Sequence, residues 1–326
     1  MSLASATLGA GAIEIRGLTK NYGEVRALQG LDLHVPSGSV FGFLGPNGAG
    51  KTTALSILAG LSHSTGGEAT ISGLDVEEQG MQVRQRIGFL RQDPRFYTWM
   101  TGRETLQFTG RFFEHDHREI DRRANELLDL VDLSGAANRK MGSYSGGMRQ
   151  RLGVAQALMG KPDVLLLDEP SSALDPAGRY EVLQIMERLR GSTTIFYSTH
   201  ILQDVERVAD EVAIINNGKR LLQAPMRQLL SGEQLALLVD VEGDAKPLVD
   251  ELKLQPFALN VTTSNGEGAD RLRLRIEVSD LNAARRAVPA MIVHYGVLLV
   301  SFQTERQSLE DVFLSLTQGQ SGDIHA

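Results

Sequence analysis

Hydrophobic positions along the chain change period several times, and each change marks an element. From Ile13 onward strand-like and helix-like stretches alternate, which predicts a mostly parallel α/β sheet. Val40–Leu44 is a short apolar run that stops at Gly45, and a helical pattern covers residues 52–61. Between about residues 100 and 158 the period is mainly 3.6, as in 122–131, which predicts a helical insertion. Residues 164–167 are apolar without a break, as are most of 193–198, so both belong in the interior of a sheet. A further strand at 212–215 runs into Asn217-Gly218, a hairpin signal. Past Ser231-Gly232 the pattern restarts: strand 235–241, helix 246–254, strand 257–263, strand 271–278, helix 282–294, strand 297–303 and a last helix 309–316. That β-α-β-β-α-β order predicts a ferredoxin-like arrangement.

The expected layout is a flexible leader (1–11), a main domain (12–230) with a helical insertion at about 95–160, an accessory α+β domain (234–318) and a flexible tail (319–326). Composition narrows the partners. The 33 basic and 40 acidic residues give a net charge of −7 and no basic cluster, which argues against nucleic acid. There is no cysteine, which removes disulfides, Cys-ligated zinc and thiol catalysis. The first residues lack the basic and long apolar regions of a signal peptide, and no apolar run approaches the roughly 20 residues that span a bilayer. Any membrane role is therefore expected to be peripheral.

The sharpest chemical signal is Gly45-Pro46-Asn47-Gly48-Ala49-Gly50-Lys51-Thr52, a full match to G-x-x-x-x-G-K-[ST]. The glycines let the loop curl so that backbone N–H groups converge on a phosphate, and the following helix aims its positive end at the same anion. Lys51 is placed for the β- and γ-phosphates of a nucleotide and Thr52 for Mg²⁺. Downstream, the apolar strand 164–167 ends in Asp168-Glu169. Two acids at a strand's carboxyl end also describe a strand meeting solvent. Beside a phosphate loop they read instead as a Mg²⁺ holder, Asp168, and a general base for the attacking water, Glu169.

Ser145-Gly146-Gly147-Met148-Arg149-Gln150-Arg151 resembles the signature motif of ABC ATPases, usually written Leu-Ser-Gly-Gly-Gln, with Tyr144 and Met148 departing from it. Without that company a Ser-Gly-Gly is a weak signal, often no more than a helix start. The resemblance covers about residues 13–222 and implies a P-loop NTPase (RecA-like) ABC cassette with a helical subdomain. It implies that Tyr22 stacks on adenine, and that Gln92 senses Mg²⁺ and water. His200 is then a switch residue on the γ-phosphate, and Asp175 meets a partner subunit. The ATP-binding set it implies adds Gly45, Asn47, Gly48, Ala49, Gly50, Lys51, Thr52 and Thr53 on one chain to Ser145, Gly146 and Gly147 closing from another. Tyrosine and histidine at such positions are otherwise more often structural.

The stretch 308–317, Ser-Leu-Glu-Asp-Val-Phe-Leu-Ser-Leu-Thr, resembles the end of ATPase subunits of ABC-2 type exporters, the daunorubicin, bacitracin and sodium-export group. Read from its residues alone it is an amphipathic helix. The resemblance implies an ATP- and Mg²⁺-using ATPase at the cytoplasmic face of the cell membrane. Its implied partners are a separate ABC-2 type permease and a second nucleotide-binding subunit, either a copy of this chain or a different one. Phe96-Tyr97-Thr98-Trp99-Met100 falls where family members grip the permease; core packing of the insertion would also explain it. The accessory domain reads as a dimer-stabilising appendage or a small-ligand regulator. Competing readings are a soluble ABC ATPase acting on ribosomes or DNA, an ATP-binding regulator without turnover, and an importer. The cargo is not legible in this chain.

Overall fold

The computed structural model describes residues 11–113, 116–230, 235–266, 271–305, 309–310 and 312–313. The chain divides after Met226 into two compact units.

The first unit opens with a hairpin of β1 (Ile13–Tyr22) and β2 (Val25–Val35), closed by the two-residue turn Gly23-Glu24. Then come β3 (Val40–Leu44), α1 (Lys51–Leu58), β4 (Gly66–Ile71), β5 (Leu74–Asp75), α2 (Gly80–Arg86) and β6 (Ile87–Leu90). Three helices follow, α3 (Gly102–Gly110), α4 (His117–Leu130) and α5 (Gly146–Ala157). The unit closes with β7 (Val164–Asp168), α6 (Pro176–Leu189), β8 (Thr194–Thr199), α7 (Leu202–Val208), β9 (Glu211–Asn216) and β10 (Lys219–Pro225); α8 (Met226–Leu230) follows.

Six of these strands form one sheet in the order β10-β9-β3-β8-β7-β6, parallel except for the edge strand β10. Every residue of β3, β7 and β8 is buried, which explains the apolar runs 40–44, 164–167 and 195–197. The turn from β9 to β10 has Asn217 at φ 48° and Gly218 at φ 73°, the paired left-handed conformation that an Asn-Gly hairpin requires.

The start of the chain departs from the expected parallel sheet. β1, β2, β4 and β5 form a separate antiparallel sheet in the order β2-β1-β4-β5. The reason is visible in β2, where Leu31, Leu33 and Val35 are buried while Asp32 is exposed. One apolar face and one wet face suit an antiparallel sheet, and a strand covered on both sides would need to be apolar throughout. α1 packs against strands of both sheets, within a core that includes Ile13, Leu33, Phe41, Leu55, Leu166 and Phe196.

α3, α4 and α5 pack on one another and form the helical subdomain. α4 buries Ile120, Ala124, Leu127 and Leu128, the spacing of one helical face, and Asp116 caps its first turn. α3 begins at a reciprocal cap: Glu104 N–H donates to Thr101 Oγ1 at 3.2 Å and Thr101 N–H to Glu104 Oε2 at 2.7 Å.

In the second unit β11 (Leu235–Glu242), α9 (Lys246–Leu252), β12 (Ala258–Asn265), β13 (Arg271–Val278), α10 (Leu281–His294) and β14 (Leu298–Glu305) follow in chain order. The sheet is antiparallel in the order β12-β13-β11-β14, which is ferredoxin-like. Leu237, Val239 and Val241 alternate inward against Leu248, Leu252, Val288 and Ile292 of the two helices. Leu309, Glu310, Val312 and Phe313 are helical; the rest of the expected last helix, the leader to residue 10 and the tail lie outside the described residues. Among the described residues no helix is long and apolar enough to cross a membrane.

Candidate active site

The sheet delivers its functional residues at the carboxyl ends of its parallel strands. β3 ends at Leu44, and the loop 45–50 crosses to α1. Gly45 N–H donates to Thr199 O at 3.2 Å and Ala49 N–H to Pro46 O at 3.2 Å. A side chain at Gly45 would strike the Ile215 carbonyl, since its Cβ would lie 2.4 Å from that oxygen. Gly50 stands at φ 105° with Ala27 O only 2.6 Å from where a Cβ would be, so neither position admits any other residue without movement. Lys51 is buried; its Nζ donates to Gly45 O at 2.7 Å and Pro46 O at 3.1 Å.

β7 ends in the two acids. Asp168 Oδ1 accepts from Thr52 Oγ1 at 3.2 Å and from Ser198 Oγ at 2.7 Å. Glu169 is buried at φ 49°, a left-handed conformation uncommon outside glycine. Its Oε1 lies 3.2 Å from Lys51 Nζ, and its Oε2 lies 2.8 Å from Nδ1 of His200, the residue that follows β8. A buried carboxylate is thus held between an ammonium and an imidazole at the edge of the phosphate loop.

Asn47, Gly48, Gly50, Lys51, Thr52, Thr53, Gln92, Glu169 and His200 line one cleft of 570 Å³, with Val25, Arg26 and Ala27 of β2 on its far wall. Thr52 and Asp168 offer hard oxygen donors 3.2 Å apart, a set that suits Mg²⁺. Among the described residues there is no group of three or more His, Cys, Asp or Glu placed to hold a metal ion. Gln92 follows β6, and its Nε2 reaches Ser172 Oγ at 3.4 Å.

Other expected residues lie elsewhere. Tyr22, 51% exposed beside the β1–β2 turn, is not among the cleft's lining residues, and Lys20 Nζ sits 4.8 Å from its ring centre. Ser145 caps α5, its Oγ accepting from Met148 N–H at 3.2 Å, and Asp175 caps α6, accepting from Gly178 N–H at 2.9 Å. These two helix starts meet each other: a Cβ on Gly147 would lie 3.6 Å from Gly178 Cα. Ser145, Gly146, Gly147 and Asp175 do not line the phosphate-loop cleft. Tyr144 is buried, and its hydroxyl donates to Ala136 O at 2.8 Å, so the phenol anchors the segment that the α5 cap extends.

Sequence reasoning missed three polar residues behind the site. Ser198 Oγ donates to Asp168 and accepts from Glu169 N–H at 2.9 Å, linking both acids through one atom. Ser171 and Asp204 are buried and joined at 2.5 Å. Serine and aspartate within these stretches carry no pattern of their own. The one available signal was polarity at Ser198, inside a strand otherwise read as buried.

A family model described as ABC transporter matches residues 28–172. An ABC transporter ATP-binding protein of Bacillus subtilis is 37% identical over 93% of this chain and 99% of that protein. The daunorubicin resistance ATP-binding protein DrrA2 of Streptomyces coeruleorubidus is 37% identical over 94% and 95%. Among solved structures, the ATP-binding cassette MJ0796, in a dimeric post-hydrolysis state bound to ADP and Pi, superposes with a TM-score of 0.60 at 26% identity. That likeness covers 66% of this chain and 99% of the other.

Proposed function

The chain belongs to the ATP-binding proteins of ABC transporters, and on that premise we propose that it drives an ABC-2 type exporter from the cytoplasmic face of the cell membrane. It is an ATPase subunit, working with a second nucleotide-binding subunit and a separate membrane permease. A Nod factor export ATP-binding protein of Cupriavidus pinatubonensis, 35% identical over 94% of this chain and 90% of that protein, supports the export direction.

The observation that carries the chemistry is the Glu169 carboxylate held between Lys51 and His200 beside the phosphate loop. In the proposed reaction ATP lies on the loop, its phosphates held by backbone N–H groups and Lys51. Thr52, Asp168 and Gln92 would hold Mg²⁺, which would neutralise charge on the phosphates. Glu169 takes a proton from water as that water attacks the γ-phosphorus; the bond to the bridging oxygen breaks, giving ADP and phosphate. His200 orients Glu169 and faces the terminal phosphate. Ser145, Gly146 and Gly147 act on the ATP held by the other subunit, and Asp175 meets that subunit too. Their position away from this chain's own cleft supports that division. Tyr22 takes the adenine.

The test is hydrolysis by purified wild type and Glu169→Gln, with size-exclusion chromatography in ATP and Mg²⁺. The reading predicts lost turnover and a stable ATP-dependent dimer in the variant. Hydrolysis at the native rate in Glu169→Gln would sink it.

A further inference from the structure

Behind the cleft lies a second set of contacts, made by residues that do not line it. Asp204 sits in the first turn of α7, four residues past His200, and is only 2% exposed. Its Oδ2 accepts from Ser171 Oγ at 2.5 Å, and Ser171, two residues past Glu169, is equally buried. Arg179 Nε of α6 lies 4.0 Å from the other oxygen. The Tyr197 hydroxyl donates to the Asp204 backbone carbonyl at 3.5 Å. Burial pushes the Asp204 carboxyl up, while the Ser171 hydroxyl and then the Arg179, Arg207 and His200 charges draw it down. The hydroxyl thus stabilises a carboxylate that water does not reach.

The contacts close a ring. Glu169 runs through Pro170 to Ser171, Ser171 bonds Asp204, the chain returns from Asp204 to His200, and His200 Nδ1 meets Glu169 Oε2 at 2.8 Å. Within the loops Ser172 Oγ donates to Glu169 O at 3.2 Å and Ile201 N–H to Thr199 Oγ1 at 3.0 Å, and at the strand ends Glu169 N–H donates to Ser198 Oγ at 2.9 Å. The Ser171–Asp204 bond is the contact that ties the loop after Glu169 to the helix after His200. We propose that Ser171 and Asp204 are positioning residues, a buried clasp that holds the His200 turn against the Glu169 loop and so sets the His200–Glu169 contact. The inference rests on the reading that Glu169 and His200 carry hydrolysis.

An equally buried serine–aspartate pair that served the fold alone would change stability and leave turnover per folded molecule intact. The experiment therefore measures kcat, KM for ATP, Tm and the His200 imidazole ¹⁵N signals in Ser171→Ala, Ser171→Thr and Asp204→Asn, with Glu169→Gln as reference. A misplaced catalytic group is costly, so Ser171→Ala and Asp204→Asn are expected to lose about tenfold or more in kcat with KM within about twofold. The His200 Nδ1 signal should shift, and Ser171→Thr, which keeps the hydroxyl, should recover kcat. Native kcat in both variants would overturn the clasp. So would a loss that tracks Tm and ATP affinity and is not recovered by threonine. If Glu169→Gln itself hydrolyses at the native rate, the underlying assignment fails first, and the two failures are told apart.

Discussion

Glu169 and His200 meet at 2.8 Å through one carboxylate oxygen, while the other oxygen faces Lys51 Nζ at 3.2 Å. Both oxygens of the proposed base are therefore occupied, and its orientation depends on two neighbours, one at the start of α1 and one just after β8. His200→Ala leaves Oε2 without its imidazole. Its kcat is expected to fall about 100-fold, the scale of an acid–base contribution, with ATP binding retained. Steady-state kinetics alongside nucleotide titration checks the split; equal loss of binding and turnover would contradict it.

Gly45→Ala should be costly beyond its size. The added carbon would lie 2.4 Å from Ile215 O, a backbone atom that cannot swing away. Overpacking of this kind destabilises by about 1–3 kcal/mol, and it would also displace the loop that binds phosphate. Gly135→Ala is the control, because a Cβ there meets nothing within 4 Å; its effect should stay within about 0.5 kcal/mol. Denaturant unfolding of the two variants, with ATP affinity, measures both.

Much of this was legible in the pattern of residues. Unbroken apolar runs gave β3 and β7 as interior strands, Asn217-Gly218 gave the β9–β10 hairpin, and the restart after Ser231 gave the order of the second unit. The loop at 45–52 could be recognised because its glycines and Lys51 are adjacent in sequence. The antiparallel sheet was missed because β1 and β4 pair across some fifty residues, and no local period records that pairing. Ser171 and Asp204 were missed for a similar reason. They are 33 positions apart, and neither residue type is unusual where it stands.

Glu119 offers a pH test of the helical subdomain. Hydrogen bonds from Arg122, then Lys161, hold its carboxyl down at about 2, against an ordinary 4.5. A depressed carboxylate contributes stability above its unfolded pKa and loses it as pH falls toward the folded value. Wild type should therefore melt above Glu119→Gln at pH 7, and the gap should shrink as pH drops from 4.5 towards 2. Thermal melts across that range decide it; a constant gap would mean the ion pairs contribute nothing.

Trp99 is the sole tryptophan of the chain, is 67% exposed, and lies 5.7 Å from the Tyr97 ring centre. If this pair docks the permease, its emission should shift to the blue when the permease is added. Trp99→Ala should then weaken permease binding while changing stability by no more than about 0.5 kcal/mol. An unshifted spectrum in a demonstrated complex would place the contact elsewhere.

The phosphate loop is cross-braced from several directions. Thr199 O takes Gly45 N–H, Gly218 N–H donates to Ala49 O at 2.9 Å, Lys51 ties the carbonyls of Gly45 and Pro46, and Ala27 O abuts Gly50. Ordering a free backbone costs about 1–2 kcal/mol per residue, and for these six residues that entropy is lost when the chain folds. An arriving phosphate meets a mould already set, so its binding energy does not go into organising the loop.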